Sequence, residues 1–235
     1  MTAESLTVTD LETAGGAENY RDWILNRCRP YLGQRILDAG AGIGTFTEQL
    51  LDRELVIAAD GYQPFIDELR QRLGHRLKLD PVMVDLTGSE IRELAQYRLD
   101  TVLCVNVLEH IEDDRAALAN FYALLQPGGR LVLFVPAHQF LYGTVDRQLE
   151  HCRRYSRREV RRNFEDAGFT VEHLSEMNFI GIAGWFLNNR VQRRKRVSPR
   201  HVALYDKWVV PWAERAERVV KPPVGLSILA VGRKD

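Results

Sequence analysis

The strongest constraint on the fold is a rhythm. From residue 35 to residue 137, short apolar runs alternate with segments whose apolar residues recur at helical spacing. RILDA (35–39), ELVIAAD (54–60), DPVMVDL (80–86), RLDTVLCVNVL (98–108) and RLVLFVPA (130–137) read as strands. They are nearly continuous apolar runs, the pattern of strands buried on both faces of a parallel sheet. FTEQLLDR (46–53), QPFIDELRQRLG (63–74) and DDRAALANFYALLQPGG (113–129) read as helices, stopped by Gly74 and by Pro-Gly-Gly. Such alternation predicts an α/β doubly wound sheet with right-handed crossovers.

The flanks extend this plan. A helix is expected ahead of the first strand, with Asn19 as its cap, Tyr20, Trp23, Ile24 and Leu25 on or near one face, and Pro30 ending it. After an irregular stretch, 138–155, Ser156 and Glu159 form a capping box that opens a helix running to Gly168. FTVEHLSEMN (169–178) is a sixth strand and GLSILAVGRK a seventh, with aromatic and basic, helix-like sequence between them. The sequence holds no internal repeat or low-complexity linker, so a loose segment 1–17 and a single domain 18–235 are expected.

Composition excludes several classes. Lys+Arg and Asp+Glu balance at 32 each, which argues against a general nucleic-acid or anionic-membrane binder. Cys28, Cys104 and Cys152 are far apart, with neither metal-ligand spacing nor the even number of a disulfide framework. A reducing, cytoplasmic setting is expected, and no metal. The first residues are polar and acidic, unlike a signal peptide. No apolar run approaches the roughly 18–20 residues of a membrane helix.

At the end of the first strand, Gly40, Gly42 and Gly44 alternate in AGAGIG, with Asp38 ahead of them. A strand that turns through glycines into a helix presents backbone N–H groups to a ligand without a Cβ in the way. The dinucleotide fingerprint G-x-G-x-x-G needs its third glycine at 45, where this chain has Thr45. A pyrophosphate gains nothing from a carboxylate at Asp38, whereas a ligand carrying an ammonium group does.

On Asp38, Gly40, Gly42 and Gly44 the chain resembles the class I S-adenosylmethionine-dependent methyltransferases, whose first motif is an acid followed by Gly-x-Gly-x-Gly. The resemblance covers roughly 20–178 and the terminal strand. It implies a seven-stranded, mostly parallel Rossmann-like sheet, its last strand antiparallel, with a helical substrate cap (178–223) inserted before that strand. It implies S-adenosylmethionine as cofactor and a methyltransferase activity. Asp60, ending the second strand, would accept both ribose hydroxyls. Asp85 and the Leu86 backbone N–H would meet the adenine, and Asn106 would offer a backbone carbonyl or amide to the ammonium group. Tyr20 and Trp23 would lid the methionine end or line the acceptor pocket. Glu109 and His110 follow at the next helix entrance, with a capping or packing role weighed against a functional one.

Acceptor chemistry is sought in 138–155. His151, Arg153, Arg154 and Tyr155 resemble a His-x-Arg-Arg-Tyr pattern in a bacterial branch of small-molecule methyltransferases. His151 is the candidate base or substrate ligand, with Tyr155 as second catalytic candidate and Arg154, His138 and Tyr142 as substrate contacts. A loop-locking role for the same cluster stays open, and Asp146 fits either. Phe179, Trp185, Phe186, Tyr205, Trp208 and Trp212 are candidate walls of an apolar acceptor pocket, Trp185 foremost. The basic run Arg190, Arg193, Arg194, Lys195, Arg196 leaves a solvated face, a phosphate site and a peripheral membrane contact open.

The expected reaction is methyl transfer to O or N of a small-molecule acceptor. Two other readings stand beside it: an NAD(P)-dependent oxidoreductase, against which the glycine spacing and the lack of a Tyr-x-x-x-Lys pair argue, and a non-catalytic cofactor-binding partner. A base-amino nucleic-acid methyltransferase would carry Asn/Asp-Pro-Pro-aromatic after strand four, where this chain has Asn106-Val107-Leu108-Glu109.

Overall fold

A computed structural model describes residues 16–187, 189 and 199–235. The segment 1–15 and the basic run 190–196 lie outside the described residues. Seven strands form one sheet: β1 Arg35–Ala39, β2 Leu55–Asp60, β3 Val82–Met83, β4 Leu99–Val105, β5 Leu125–Pro136, β6 Thr170–Met177 and β7 Ser227–Arg233. Their order is β3-β2-β1-β4-β5-β7-β6. β1 to β5 pair in parallel, and β7 runs antiparallel between β5 and β6. This is the doubly wound, mostly parallel sheet that the apolar runs predict.

The α-helices are α1 Glu18–Cys28, α2 Gln63–Leu73, α3 Asp114–Leu124, α4 Thr144–Gln148, α5 Arg157–Asp166, α6 Phe179–Phe186, α7 Pro199–Trp208 and α8 Val210–Val219. One core fills the sheet face under α3 and α5, where Phe121, Leu124 and Phe164 meet Val102, Leu131 and Leu133. The other face takes α1 and α8: Trp23, Leu25 and Cys28 with Val210 and Ala213 against Val105, Phe134 and Leu229. The continuous apolar character of β4 and β5 follows, since both of their faces are covered.

Several boundaries differ from the sequence reading. α1 starts at Glu18 with Ala17 in the cap position. Asn19 instead turns toward α7, donating from its backbone N and from Nδ2 to Asp206 Oδ2. A short polar residue here serves a tertiary bond rather than a cap. Of 46–53 only a 3₁₀ turn, Thr47–Leu50, forms. The third strand shrinks to two residues, Val82–Met83, at the sheet edge. α3 stops at Leu124, and Leu125–Gly129 join β5, which bonds outward through the Gly128 N–H to the Lys234 carbonyl and the Lys234 N–H to the Gly129 carbonyl. The Ser156–Glu159 capping box is present.

Candidate functional site

Above the carboxyl ends of β1, β2, β4 and β5 lies a cavity of about 1020 Å³. Ligands of open α/β sheets bind at this edge, where the strand order reverses between β1 and β4. The floor is the glycine turn and the strand ends: Gly40, Gly42, Asp60, Gly61, Asn106, Val107 and Pro136. The roof comes from Ala17 and Tyr20 of the first helix region, Gly181, Gly184 and Trp185 of α6, and His201, Val202, Tyr205 and Asp206 of α7.

The glycine turn is held in a shape that only glycine takes easily. Gly40 has φ +76° and its missing Cβ would overlap the Val107 side chain. Gly44, at φ +88°, faces away from the cavity, where a Cβ would stand 2.8 Å from Leu73 Cδ1 of α2. It is a packing glycine in this chain, and it is not among the wall residues. Gly42 and Gly40 carry the wall.

Asp60 fastens the turn to β2. Its Oδ2 accepts from the Gly42 N–H at 2.9 Å, and its Oδ1 from the Tyr62 N–H at 3.0 Å. Burial pushes its carboxyl above the usual range, against these backbone bonds. Asp85 lies exposed on the wall with Oδ1 accepting from the Thr87 N–H and hydroxyl, beside buried Leu86. Asn106, at φ +53°, donates its backbone N–H to the Phe134 carbonyl at 2.8 Å. That leaves its carbonyl as the one of its two expected groups able to meet an ammonium. Asp38 is buried behind the turn and accepts from the Thr47 hydroxyl at 2.6 Å. Burial pushes its carboxyl up to about 6, against the Thr47 bond. It is not a wall residue.

The fit to S-adenosylmethionine rests on these features: a cradle that a Cβ at 40 would close, a buried acid at the end of β2 and an acid after β3. Tyr20 is placed where a lid is expected. Its backbone N–H donates to Asp206 Oδ1, and its ring meets Trp23 edge-on at 6.0 Å. Trp23 itself is buried in the core below.

The segment 151–155 is stapled onto 108–114. The Cys152 N–H donates to the Glu109 carbonyl, Arg153 bonds the Glu112 carbonyl and the Asp114 carboxylate, and Tyr155 donates its hydroxyl to Leu108 O and Asp114 Oδ2. The consequence is local: His151 lies against His110, ring centroids 4.7 Å apart and nearly perpendicular, and both line the cavity with Glu109.

Behind them, Asp146 is fully buried and accepts four bonds. Its Oδ1 takes Arg154 Nε at 2.7 Å and His151 Nδ1 at 3.1 Å. Its Oδ2 takes the Gly143 N–H at 2.9 Å and Asn189 Nδ2 at 2.7 Å. Burial pushes this carboxyl up, but the His151 bond and the Arg154 charge prevail and hold it down at about 2. The arginine continues outward, its guanidinium 4.7 Å over the Trp185 ring on the cavity wall.

The expected site residues divide accordingly. His151, Arg154, Trp185, Tyr20, Gly40, Gly42, Asp60, Asp85, Leu86 and Asn106 come together around one cavity. Tyr155 does not reach it. Its ring is buried in the core and its hydroxyl is engaged below, so it sets the position of the loop. His138, at φ +64°, pairs through Nε2 with Glu176 Oε2 at 2.8 Å, and Tyr142 donates its hydroxyl to the His151 carbonyl. Neither is a wall residue. Among the aromatics of 178–223, Trp185 and Tyr205 line the cavity, while Phe179, Phe186, Trp208 and Trp212 stand exposed.

Other residues were missed. Asn178 caps α6 from a left-handed conformation (φ +65°), its Oδ1 accepting from Gly181 N–H and the Tyr205 hydroxyl. Glu217 accepts from the backbone of 178 and 179, and Asp206 from the start of α1. These buried polar bonds seat the helices between β6 and β7 over the cavity. Apart from the Asn178 cap on Gly181, no local pattern marks them, because the other partners lie tens of residues away in the chain.

Residues 16–174, more than half of the chain, match the family model described as a methyltransferase domain. An uncharacterized 37.1 kDa protein of transposon TN4556 from Streptomyces fradiae is 30% identical over 68% of this chain and 50% of its own length. The chain thus spans half of that relative. A ubiquinone biosynthesis O-methyltransferase of Aeromonas salmonicida is 24% identical over 70% of this chain and 75% of its own. The crystal structure of a SAM-dependent methyltransferase from Archaeoglobus fulgidus shares the fold, with a TM-score of 0.59 and 18% identity over 91% of this chain and 94% of that one. With its glycine cradle, strand order and family match in agreement, the chain belongs to the methyltransferase-domain family, on the fold it shares with the S-adenosylmethionine-dependent methyltransferase of Archaeoglobus fulgidus.

Proposed function

We propose that the chain methylates an oxygen or nitrogen of a small-molecule acceptor, with His151 as the base. The observation that carries this reading is the Asp146–His151 pair at the cavity wall. Bound S-adenosylmethionine supplies a methyl group already activated as a sulfonium. The residues of this chain must then orient the acceptor, exclude water and take its proton. Orientation alone is worth roughly 7–11 kcal/mol at best.

Asp146 holds the proton on His151 Nδ1, which leaves Nε2 as the lone pair for an acceptor hydroxyl or ammonium. Arg154 and Trp185 form a flat, cationic and aromatic corner suited to an aromatic or anionic acceptor. His138, Tyr142 and Tyr155 act through the loop that carries His151. The helices of 178–223 serve as the acceptor cap. The O-methyltransferase activity in the name of the Aeromonas relative supports an oxygen acceptor for this chain. Cys28, Cys104 and Cys152 are unpaired, which suits a reducing compartment.

The test combines ligand binding with turnover. S-adenosylhomocysteine is expected to raise the Tm while NADH does not. On an acceptor found in a screen of phenols, hydroxy acids and amines, His151→Ala is expected to lower kcat about 10²–10⁴-fold with cofactor affinity unchanged. An unchanged kcat removes His151 as base, and stabilisation by NADH alone overturns the whole reading.

A further inference from the structure

Three side chains at the cavity wall hold donor atoms that no hydrogen bond found among the described residues commits. Glu109 is 1% exposed, and among the described residues its Oε2 has no hydrogen-bond partner. A buried carboxylate oxygen in that condition is costly, on the order of several kcal/mol if charged, unless a cation or proton answers it. His110 Nδ1 is likewise buried and without a partner among the described residues. His151 spends Nδ1 on Asp146, leaving Nε2 uncommitted by that bond. One ligand atom from each of the three lies within 4.8 Å of the other two.

We infer that Glu109, His110 and His151 form a binding site for one divalent first-row transition metal ion, open toward the cofactor cavity. Two imidazoles and one carboxylate are a donor set for Zn²⁺, Co²⁺, Fe²⁺ or Ni²⁺ rather than for Mg²⁺ or Ca²⁺, which take oxygen. Ligand atoms on one ion with bonds of about 2.1 Å stand roughly 3–3.5 Å apart, so the three must draw in by about 1 Å. Side-chain rotation of that size fits a cavity wall. The second shell is already built: Asp146 on His151 Nδ1 is the carboxylate–histidine arrangement that fixes tautomer and ring direction in metal sites, and Arg154 and Asn189 hold Asp146 in turn. The backbone bond from Cys152 to the Glu109 carbonyl at 2.7 Å fixes the spacing between the two ligand segments.

Three protein ligands leave positions open, and the opening faces the acceptor space. An acceptor oxygen, such as one hydroxyl of a catechol or of a hydroxy acid, would complete the shell. A metal-bound hydroxyl is more acidic than a free one. With the ion in place, that acidity takes over the work assigned above to His151 as base, since the same Nε2 lone pair is then a metal bond. The inference rests on the preceding reading for the location of the acceptor, and not for the binding of the ion.

The test therefore reads metal binding on the full chain without any acceptor. Metal-stripped protein is titrated with CoCl₂ and followed by visible absorption and by equilibrium dialysis, with MgCl₂ as the control ion. The expected result is one Co²⁺ per chain with a visible d–d band, displaced by Zn²⁺ and not by a hundredfold excess of Mg²⁺. Glu109→Gln and, separately, His110→Gln are expected to weaken Co²⁺ binding at least tenfold while keeping the S-adenosylhomocysteine thermal shift, which certifies the fold. His75→Ala, at an exposed histidine, leaves binding unchanged. No stoichiometric Co²⁺ in the wild type, or equal binding in Glu109→Gln and His110→Gln, overturns the site and leaves the methyl-transfer reading intact. A wild type that binds Co²⁺ but gains no stability from S-adenosylhomocysteine supports the site and sinks the preceding reading instead.

Discussion

Asp146→Asn is the sharpest test of how the site is supported. The substitution keeps size and shape but turns one acceptor oxygen into an NH₂ group. Each oxygen of Asp146 now takes two donors, so either orientation of the amide sets a donor against two donors. Arg154, 4% exposed, loses its ion-pair partner in both orientations. Removing one member of a buried pair costs about 3–5 kcal/mol, because the other charge is stranded. Two unmade neutral bonds at Gly143 and Asn189 would cost on the order of 1–3 kcal/mol each, and relaxation of the loop returns part of that. A net loss of about 3–5 kcal/mol is expected. Set against a typical stability of roughly 5–15 kcal/mol, the variant folds with a clearly lowered urea midpoint. The measurement is urea unfolding at pH 7, followed by tryptophan fluorescence, on Asp146→Asn, Arg154→Met and the double variant. The double variant removes the stranded charge, so its loss should fall short of the two single losses added together by at least 1 kcal/mol. A single-variant loss under 1 kcal/mol, or additivity within about 0.5 kcal/mol, refutes the hub.

Further outcomes follow from other parts of the molecule. Gly40→Ala meets both a positive φ and the Val107 side chain, so it should cost about 1–2 kcal/mol or more in stability and abolish the thermal shift with S-adenosylhomocysteine; a retained shift contradicts the cradle. Asp38, raised to about 6 by burial, favours the folded state most below pH 3.8 and loses that contribution as pH rises through 6. Asp38→Asn should therefore gain on the ligand-free wild type by roughly 2.5 kcal/mol between pH 4 and pH 7, and urea melts showing a pH-independent difference speak against it. Ser156→Ala removes the acceptor for the Glu159 N–H at the start of α5 and should cost about 1 kcal/mol, read from the urea midpoint at constant m.

The sheet was legible because its signal is local and repeated. β1, β2, β4 and β7 are apolar on both faces, and each announces itself over five or more residues. The helices at 18–28, 63–73 and 157–166 carry period and stops within their own sequence. What failed did so where tertiary context overrides propensity. FTEQLLDR has a helical pattern, yet the chain makes only a short 3₁₀ turn there between the glycine loop and β2. Gly44 matches the motif as a ligand glycine and is used to let α2 approach. Tyr155 and His138 are polar, aromatic and well spaced, but spacing along the chain does not say whether a hydroxyl turns out to the cavity or in toward Asp114. Glu109 and His110 were in plain view. Their importance depends on what fails to bond them, which only the folded arrangement reveals.

The antiparallel seventh strand has a consequence for how the enzyme is made. β7 lies between β5 and β6, bonded to both along its whole length. Until residues 227–233 have left the ribosome, β5 and β6 face an empty slot one strand wide, and the half-sheet from β3 to β5 must persist with an open edge. The helices of 178–219 emerge before the strand that fills that slot. They are then tethered at one end only, and insertion of the last strand is expected to close sheet and roof together. An arrested nascent chain that displays β1 to β6 is thus expected to be the protease-sensitive, chaperone-bound form, and cofactor binding to begin only once the last strand is free to enter.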